Sequence, residues 1–97
     1  MVPLLYDGMS AHVITQKLQT LTSINSVKIK VAQTSMASEI QFIYQVLAIA
    51  PHVTLRLDAN RGFSLEQAID FLACLPKHKI EYIEEPCIHP SDNAQIY

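Results

Sequence analysis

The sequence predicts an α/β fold of parallel strands and helices in the order βαβαβαβ, a partial (β/α)8-type barrel amounting to about half of one. Short β-branched runs alternate with longer segments in which apolar residues recur at helical spacing. The predicted strand ends at Lys30, Asp58 and Glu84 are separated by 28 and 26 residues, so successive units have a similar length. One face of the strands is polar, which fits the inside of a barrel better than a sheet covered by helices on both faces.

The first unit is a short strand followed by an amphipathic helix. Residues 2–5 form an apolar run, residues 7–8 form an Asp-Gly turn, and Ser10 is the candidate N-cap of the helix. The apolar positions that share one face of this helix, with Lys17 at the margin, are Val13, Ile14, Leu18 and Leu21.

The second unit begins with a strand at residues 27–31, where apolar and basic residues strictly alternate. The two valines and the isoleucine therefore share one face, and the two lysines project together from the other. Ser35 caps the following helix, Glu39 lies near its positive start, and Pro51 stops it. The apolar positions of this helix are Met36, Ile40, Ile43, Leu47 and Ala50.

The third unit repeats the pattern and leads into a last strand. Residues 53–58 alternate again, which puts a threonine, an arginine and an aspartate on the polar face. Ser64 and Gln67 have the spacing of a capping box, and Pro76 ends the helix that they start. Residues 80–84 form the last strand. The apolar positions of the third helix are Leu65, Ala68, Ile69, Leu72 and Leu75.

Composition and charge exclude several classes of protein. The chain of 97 residues is 49% hydrophobic and 16% charged, as expected of one ordered globular domain. A formal net charge of -2 offers no basic field to nucleic acid or to an anionic membrane surface. No run approaches the roughly 18 to 20 apolar residues of a membrane span, so we expect no membrane partner and a cytoplasmic protein, with reduced thiols at Cys74 and Cys87.

The polar strand ends place candidate chemistry at one edge of the sheet. In a barrel, functional groups lie at the carboxyl ends of the strands, and four such residues fall there: Lys28, Lys30, Asp58 and Glu84. Neighbouring strands are about 4.8 Å apart, so the two carboxylates can reach one hard cation. Neither acid has a histidine or cysteine at ligand spacing, which favours Mg²⁺ over zinc.

A lysine beside such a site is suited to proton transfer. Repulsion from the cation and partial desolvation both weaken its hold on the proton, so that it can act as a base. Lys30, nearer the strand end, is the predicted base, and Lys28 adds like-charge repulsion from about 6.6 Å along the same face. A divalent cation would stabilise the enediolate that forms when a proton is removed next to a substrate carboxylate.

Each of these signals also has a structural interpretation. Lys-x-Lys occurs on solvated strand faces and on edge strands, and Asp-Ala-Asn after a strand is common loop chemistry. A noncatalytic α/β module that assembles with a partner, or self-associates, through open sheet edges would show the same pattern. The joint pattern favours a functional site, because three complementary signals end three consecutive predicted strands.

Three short motifs carry a resemblance to a known family. They are Lys28-Ile29-Lys30, the Leu-Arg-Leu-Asp-Ala-Asn-Arg run at residues 55–61, and Ile-Glu-Glu-Pro-Cys at residues 83–87. In order and interval they resemble the enolase superfamily, and more narrowly its o-succinylbenzoate synthase family of lyases in menaquinone biosynthesis. The resemblance covers almost the whole chain and identifies residues 1–97 as a fragment of the C-terminal barrel domain.

The resemblance implies roles for the residues that match its motifs. Lys30 would be the acid/base lysine, with Lys28 as its partner. Asp58 and Glu84 would be the first two of three Mg²⁺ ligands. These are the residues that the strand-end pattern also selects.

The resemblance further implies that Arg56 and Asn60 support the site or its substrate, a small-molecule carboxylate. The implied reaction is a syn-dehydration of a cyclohexadiene carboxylate to o-succinylbenzoate, begun by proton abstraction alpha to the carboxylate. The third ligand, a second catalytic lysine, the remaining barrel strands and an N-terminal capping domain have no match in this chain, so we expect the 97-residue piece alone to be inactive. Related dipeptide epimerases and cycloisomerases share the lysine pair and the carboxylates, and they are the alternatives within the superfamily.

Overall fold

A computed structural model describes residues 3–19 and 25–84, and shows one parallel sheet with the strand order β1-β2-β3-β4. The strands are β1 (Leu4–Tyr6), β2 (Ser26–Lys30), β3 (Thr54–Asp58) and β4 (Ile80–Glu84). The helices between them are α1 (Ala11–Gln19), α2 (Met36–Ile49) and α3 (Leu65–Ala73), with a short 3₁₀ turn at Lys77–Lys79 before β4. The α/β fold of alternating strands and helices is confirmed, and the sheet is open within the described part of the chain. The predictions for Val2, Leu21, Glu85, Pro86 and Cys87 lie outside the described residues.

The predicted helix starts are confirmed in their hydrogen bonds. The Val13 N–H donates to Ser10 Oγ at 3.2 Å, and the Ser38 N–H donates to Ser35 Oγ at 3.2 Å. At α3 the capping box is complete, because the Gln67 N–H donates to Ser64 Oγ and the Ser64 N–H donates to Gln67 Oε1. These caps fix where each chain segment leaves the sheet edge and turns into a helix.

The core lies between the sheet and the helices. The strand residues on this side are fully or almost fully buried, and they are Leu5, Val27, Ile29, Leu55, Leu57 and Ile83. Phe71 of α3 packs on them and meets the Phe63 ring at 5.1 Å between centroids. The strict alternation of β2 and β3 therefore buries one face, as predicted, and directs the other face away from the helices.

Two apolar residues that the helical spacing assigns to apolar helix faces are exposed. Ile69 is 51% exposed and Val13 is 37% exposed, so their assignment to the buried helix faces is wrong. Successive helix residues point about 100° apart, and the buried positions of α3 are Ala68 and Phe71, which leaves Ile69 on the flank. Helix α3 is apolar on more than one side, so spacing alone does not fix its orientation.

Strand β4 contains a bulge that changes which face Glu81 occupies. Leu55 pairs with Ile80, whereas the next residue, Arg56, pairs with Tyr82, so Glu81 is an extra residue. Strict alternation would direct Glu81 toward the helices with Ile83. The bulge instead aims its carboxylate at the polar face of the sheet.

No helix in the ranges 3–19 and 25–84 has the length and apolar character that crossing a membrane requires.

Candidate functional site

Two rows of side chains cross the polar face of the sheet. The carboxyl-end row consists of residues paired in register at the strand ends: Tyr6, Lys30, Asp58 and Glu84. The middle row, one pleat below, consists of Leu4, Lys28, Arg56 and Tyr82. The topology therefore brings together the predicted lysines, the predicted metal ligands and Arg56.

Backbone hydrogen bonds continue past the strand ends and hold the carboxyl-end row in register. The Val31 N–H donates to the Asp58 carbonyl at 2.9 Å, and the Ala59 N–H donates to the Glu84 carbonyl at 3.2 Å. The backbone that carries Lys30, Asp58 and Glu84 is thus tied across three strands. Side chains on such a frame have little freedom to separate.

Lys28 lies between the two predicted metal ligands. Its Nζ is 3.4 Å from Glu84 Oε2, where it donates a hydrogen bond, and 3.9 Å from Asp58 Oδ2. These side chains remain partly exposed, so the ion pairs are screened by solvent. The two distances show that the carboxylates of Asp58 and Glu84 both face the Lys28 ammonium group.

Lys30 is placed differently from Lys28. It is half-buried at the end of β2, in register with Asp58 and Tyr6. Within residues 3–19 and 25–84, its ammonium group makes no hydrogen bond and no ion pair. In the described part of the chain, Lys28 is thus held by carboxylates and Lys30 is not.

Asp58 has a second partner in the loop that follows β3. The Asn60 N–H donates to Asp58 Oδ1 at 3.1 Å, and Asn60 has a φ of 47°. This is the local turn chemistry that an Asp-Ala-Asn run favours. The contact uses the backbone of Asn60, and it leaves Asp58 Oδ2 on the side of Lys28.

Arg56 lies between an aromatic ring and a carboxylate. Its Cζ is 5.8 Å from the centroid of the Tyr82 ring, and its Nε is 3.4 Å from Glu81 Oε2. The Nε atom is buried. It is within ion-pair distance of Glu81, but it makes no hydrogen bond to any of the described residues. Arg56 is thus oriented from two sides, and Glu81 is a site neighbour that strict alternation does not place on this face.

Glu81 also joins β4 to the first residues of β2 and β3. Ser26 Oγ and Thr54 Oγ1 donate hydrogen bonds to Glu81 Oε2 at 2.5 and 2.6 Å. These hydrogen bonds, and then the charge of Arg56, hold the pKa of the Glu81 carboxyl below its usual range. The lower part of the polar face is therefore a connected polar network.

The donor set fits a hard divalent cation. Asp58 and Glu84 offer carboxylate oxygens from adjacent, in-register strand ends, and Lys28 already marks a cationic position between them. In the described part of the chain, no three His, Cys, Asp or Glu side chains come together to hold a metal ion by themselves. These residues would supply two ligands, which matches the resemblance, since it assigns the third to another part of the barrel.

Two acidic residues near the site make contacts that the sequence analysis did not predict. Glu39 is only 2% exposed, and its carboxylate accepts hydrogen bonds from the N–H groups of Ala32, Gln33 and Thr34. The sequence placed it correctly near the start of α2 but gave no reason to bury it. The signal available was an acid four residues after the Ser35 N-cap, following a loop without glycine.

Asp7 is the second of these acids, and it links the first two strand-to-helix loops. Thr34 Oγ1 and Ser38 Oγ each donate a hydrogen bond to Asp7 Oδ2 at 2.6 Å. The two hydrogen bonds, with that from Ser38 the stronger influence, hold the pKa of Asp7 below its usual range. The first two strand-to-helix loops at the carboxyl edge are therefore connected through the Asp7 carboxylate.

Comparison with known proteins agrees with the resemblance that the sequence motifs carry. The sequence model of the enolase C-terminal domain-like family matches residues 12–96, a range that includes every predicted site residue. The o-succinylbenzoate synthase of Aliivibrio salmonicida is 30% identical over 83 residues, which cover 82% of this chain and 26% of that protein. The chain thus spans about a quarter of the length of this relative.

A solved structure and a second enzyme are also similar to this chain. The crystal structure of o-succinylbenzoate synthase from Thermosynechococcus elongatus BP-1, complexed with Mg in the active site, superposes with a TM-score of 0.73 at 31% identity. The superposition covers 97% of this chain and 29% of that one. The D-Ala-D/L-Ala epimerase of Cytophaga hutchinsonii is 46% identical over 39 residues, which cover 40% of this chain and 11% of the epimerase.

Proposed function

Because this chain belongs to the enolase C-terminal domain-like family, we propose that residues 1–97 form part of the barrel domain of a Mg²⁺-dependent o-succinylbenzoate synthase. Such an enzyme is a hydro-lyase that acts on a small cyclohexadiene carboxylate. Its place would be in menaquinone biosynthesis. The resemblance of the sequence motifs and the relatives with this activity support the proposal.

The observation that carries the proposal is the carboxyl-end row. A lysine without a described partner, Lys30, is in register with Asp58, and Asp58 is in register with Glu84. Abstraction of a proton next to a carboxylate requires a base, and it requires a positive charge placed beside the substrate carboxylate. The row supplies the base and the ligands for such a charge on one edge of the sheet.

In the proposed reaction, Lys30 Nζ takes the proton alpha to the substrate carboxylate. Proton and hydroxyl leave from the same face in a syn-dehydration, so the same Nζ can return the proton to the departing hydroxyl, which leaves as water. Mg²⁺, when bound by Asp58 and Glu84, would supply positive charge to the substrate carboxylate. Lys28 lies within ion-pair distance of both carboxylates and keeps them together.

Arg56 and Asn60 are proposed to support the site. Arg56 is oriented by Tyr82 and Glu81, so its guanidinium is available to order the ligands or the substrate. The Asn60 backbone fixes one oxygen of Asp58. Each of these residues is two positions from Asp58 in the sequence, Arg56 on strand β3 and Asn60 in the loop that follows it.

The second candidate function is a dipeptide epimerase. The local identity to the Cytophaga hutchinsonii epimerase favours it. Epimerisation also starts with proton abstraction alpha to a carbonyl group, so the row described above serves it equally. The two functions differ in the product, because only dehydration removes a hydroxyl group.

Product analysis tests the proposal. The protein that carries these residues is purified, freed of metal, and incubated with the cyclohexadiene carboxylate, with and without Mg²⁺. We expect o-succinylbenzoate to form only with Mg²⁺. Epimerisation of D-Ala-D/L-Ala without dehydration would favour the second candidate, and no metal response in either assay would favour a noncatalytic module.

A further inference from the structure

The loop between β2 and α2, residues 31–35, is built around a buried carboxylate. Glu39 Oε1 accepts the Ala32 N–H at 2.8 Å, and Glu39 Oε2 accepts the Gln33 and Thr34 N–H groups at 3.0 and 3.2 Å. Ala32 has a φ of 62°, in the left-handed region. Successive N–H groups that converge in this way form an anion-binding concavity, here called the backbone nest of residues 32–34, and Glu39 fills it.

The backbone nest is packed against the next loop, residues 59–64 between β3 and α3. A Cβ at Gly62 would lie 2.5 Å from Ala32 Cβ and 3.1 Å from the Ala32 carbonyl oxygen. The two loops therefore touch, with no room for a methyl group between them. Gly62 in turn closes the turn after Asp58, since its N–H donates to the Ala59 carbonyl at 2.8 Å.

These contacts connect Glu39 to the two central residues of the carboxyl-end row. Lys30 directly precedes the loop of the backbone nest, and Asp58 directly precedes the loop that contains Gly62. Glu39 itself is buried beneath the loop and lies on helix α2. It has no role as a ligand or as a base in the site described above.

We propose that Glu39 is a positioning residue, whose carboxylate sets the shape of the 31–35 loop and, through the Ala32–Gly62 contact, that of the 59–64 loop. It thereby fixes the carboxyl edge of the sheet on which Lys30 and Asp58 stand. The structural part stands on the contacts alone, whereas its consequence for catalysis rests on the proposed function.

Both oxygens of the Glu39 side chain act in this role. A carboxylate offers acceptor positions on both oxygens, and three N–H donors occupy them. The isosteric amide in Glu39→Gln keeps the volume but replaces one oxygen by an N–H₂ group, which would face at least one backbone N–H donor. One or more of these three partly buried amides then loses its hydrogen-bond partner in the protein.

Amide hydrogen exchange, measured in the protein that carries this chain, tests whether Glu39 sets the shape of the two loops. In Glu39→Gln, we expect exchange of the Ala32, Gln33 and Thr34 amides to become about tenfold faster or more, because the hydrogen bonds that hold them are lost or weakened. Exchange in residues 59–64 should also accelerate, while the centre of β3 keeps its protection. The matched control is Glu66→Gln, which removes an exposed carboxylate from the first turn of α3.

A second variant covers the case in which Glu39→Gln does not fold. Gly62→Ala disturbs Ala32 from the opposite side without touching Glu39, and we expect it to accelerate exchange at residues 32–34. Unchanged exchange at these amides in either folded variant would overturn the proposal. So would faster exchange spread evenly over the whole chain, because that reports global destabilisation and no specific role of the loop.

Steady-state kinetics test the catalytic consequence. Glu39 does not contact substrate in the proposed site, so Glu39→Gln should lower kcat by about tenfold to a hundredfold with a much smaller change in KM, and Glu66→Gln should change neither. Wild-type kcat in a Glu39→Gln protein with a loosened loop would overturn the catalytic part. A wild-type protein without dehydratase activity would instead contradict the proposed function, and the exchange data would still decide the role of Glu39.

Discussion

Lys28 on β2 reaches across β3 to Glu84 on β4, with 3.4 Å between its Nζ and Glu84 Oε2. On the way it passes Asp58, whose Oδ2 lies 3.9 Å from the same nitrogen. The three residues come from three strands and are separated by up to 56 positions in the sequence. One ammonium group thus neutralises two carboxylates that would otherwise repel each other at the carboxyl edge.

Removing this ammonium should destabilise the fold modestly. In Lys28→Gln we expect the free energy of unfolding to fall by about 1 kcal/mol or less, because the pairs are partly exposed. Urea unfolding at low salt and in about 1 M salt measures the effect, and the deficit should shrink at high salt. Lys77→Gln, at an exposed lysine, is the control, and an equal loss in both variants would argue against the bridging role.

Mg²⁺ should stabilise the protein that carries this chain through Asp58. A ligand that binds only the folded state raises the Tm in proportion to the logarithm of its concentration above Kd. We expect thermal unfolding to show such a rise in the wild type and none in Asp58→Asn. Asp70→Asn, at an exposed position of α3, should keep the full response, and a normal response in Asp58→Asn would remove this residue from the metal site.

The contact between Ala32 and Gly62 predicts a strong coupling between two substitutions. Gly62→Ala should lower the free energy of unfolding by about 1 to 3 kcal/mol, because its methyl group has no space beside Ala32 Cβ. Ala32→Gly should restore much of this loss, since it removes the opposing methyl group and suits a φ of 62°. A double-mutant cycle in urea measures the coupling, and additivity within about 0.5 kcal/mol would contradict the contact.

Asp7 and Glu81 predict how stability changes in acid. Hydroxyl hydrogen bonds lower the pKa of both carboxyls from ordinary values of 3.8 and 4.5. A carboxyl with a lower pKa in the folded state stabilises the fold above its unfolded pKa and loses this contribution as the pH falls through its folded pKa. We therefore expect the free energy of unfolding to decline below about pH 4.5.

The variants Asp7→Asn and Glu81→Gln test this origin. Each should be less stable than the wild type near neutral pH, and each should show a shallower decline in urea titrations carried out at decreasing pH. Asp70→Asn is again the matched control. If the free energy of unfolding of a protein that carries both substitutions falls as steeply in acid as that of the wild type, other groups control this pH dependence.

Local signals were sufficient to predict the elements and to place Lys30, Asp58 and Glu84 at the strand ends, whereas Tyr6 of the carboxyl-end row was not predicted. The Ser35 and Ser64 caps act within four residues, and strand alternation decides which face Lys30 and Asp58 occupy. The parallel direction of the strands then follows because a helix connects each strand to the next, and each such crossover returns the chain to the edge of the sheet where the previous strand began. These features depend on short stretches of sequence and on one topological rule.

The features that sequence reasoning missed depend on contacts between distant segments. Glu81 occupies the polar face because of the register between β3 and β4, which no pattern within β4 reveals. Glu39 is buried because Ala32 adopts a positive φ and turns three N–H groups toward it. Ile69 is exposed because α3 is apolar on several sides and only packing selects the buried one.

Lys30 is proposed to transfer the proton, and the Mg²⁺-dependent dehydration rate of Lys30→Ala, in the protein that carries this chain, tests this role. Lys77→Ala serves as the charge control, and thermal unfolding shows whether both variants are folded. We expect Lys30→Ala to lose about a hundredfold to ten-thousandfold in kcat while Lys77→Ala keeps its activity, as for removal of a general acid-base group. A folded Lys30→Ala protein that dehydrates the substrate at the wild-type rate would contradict the claim.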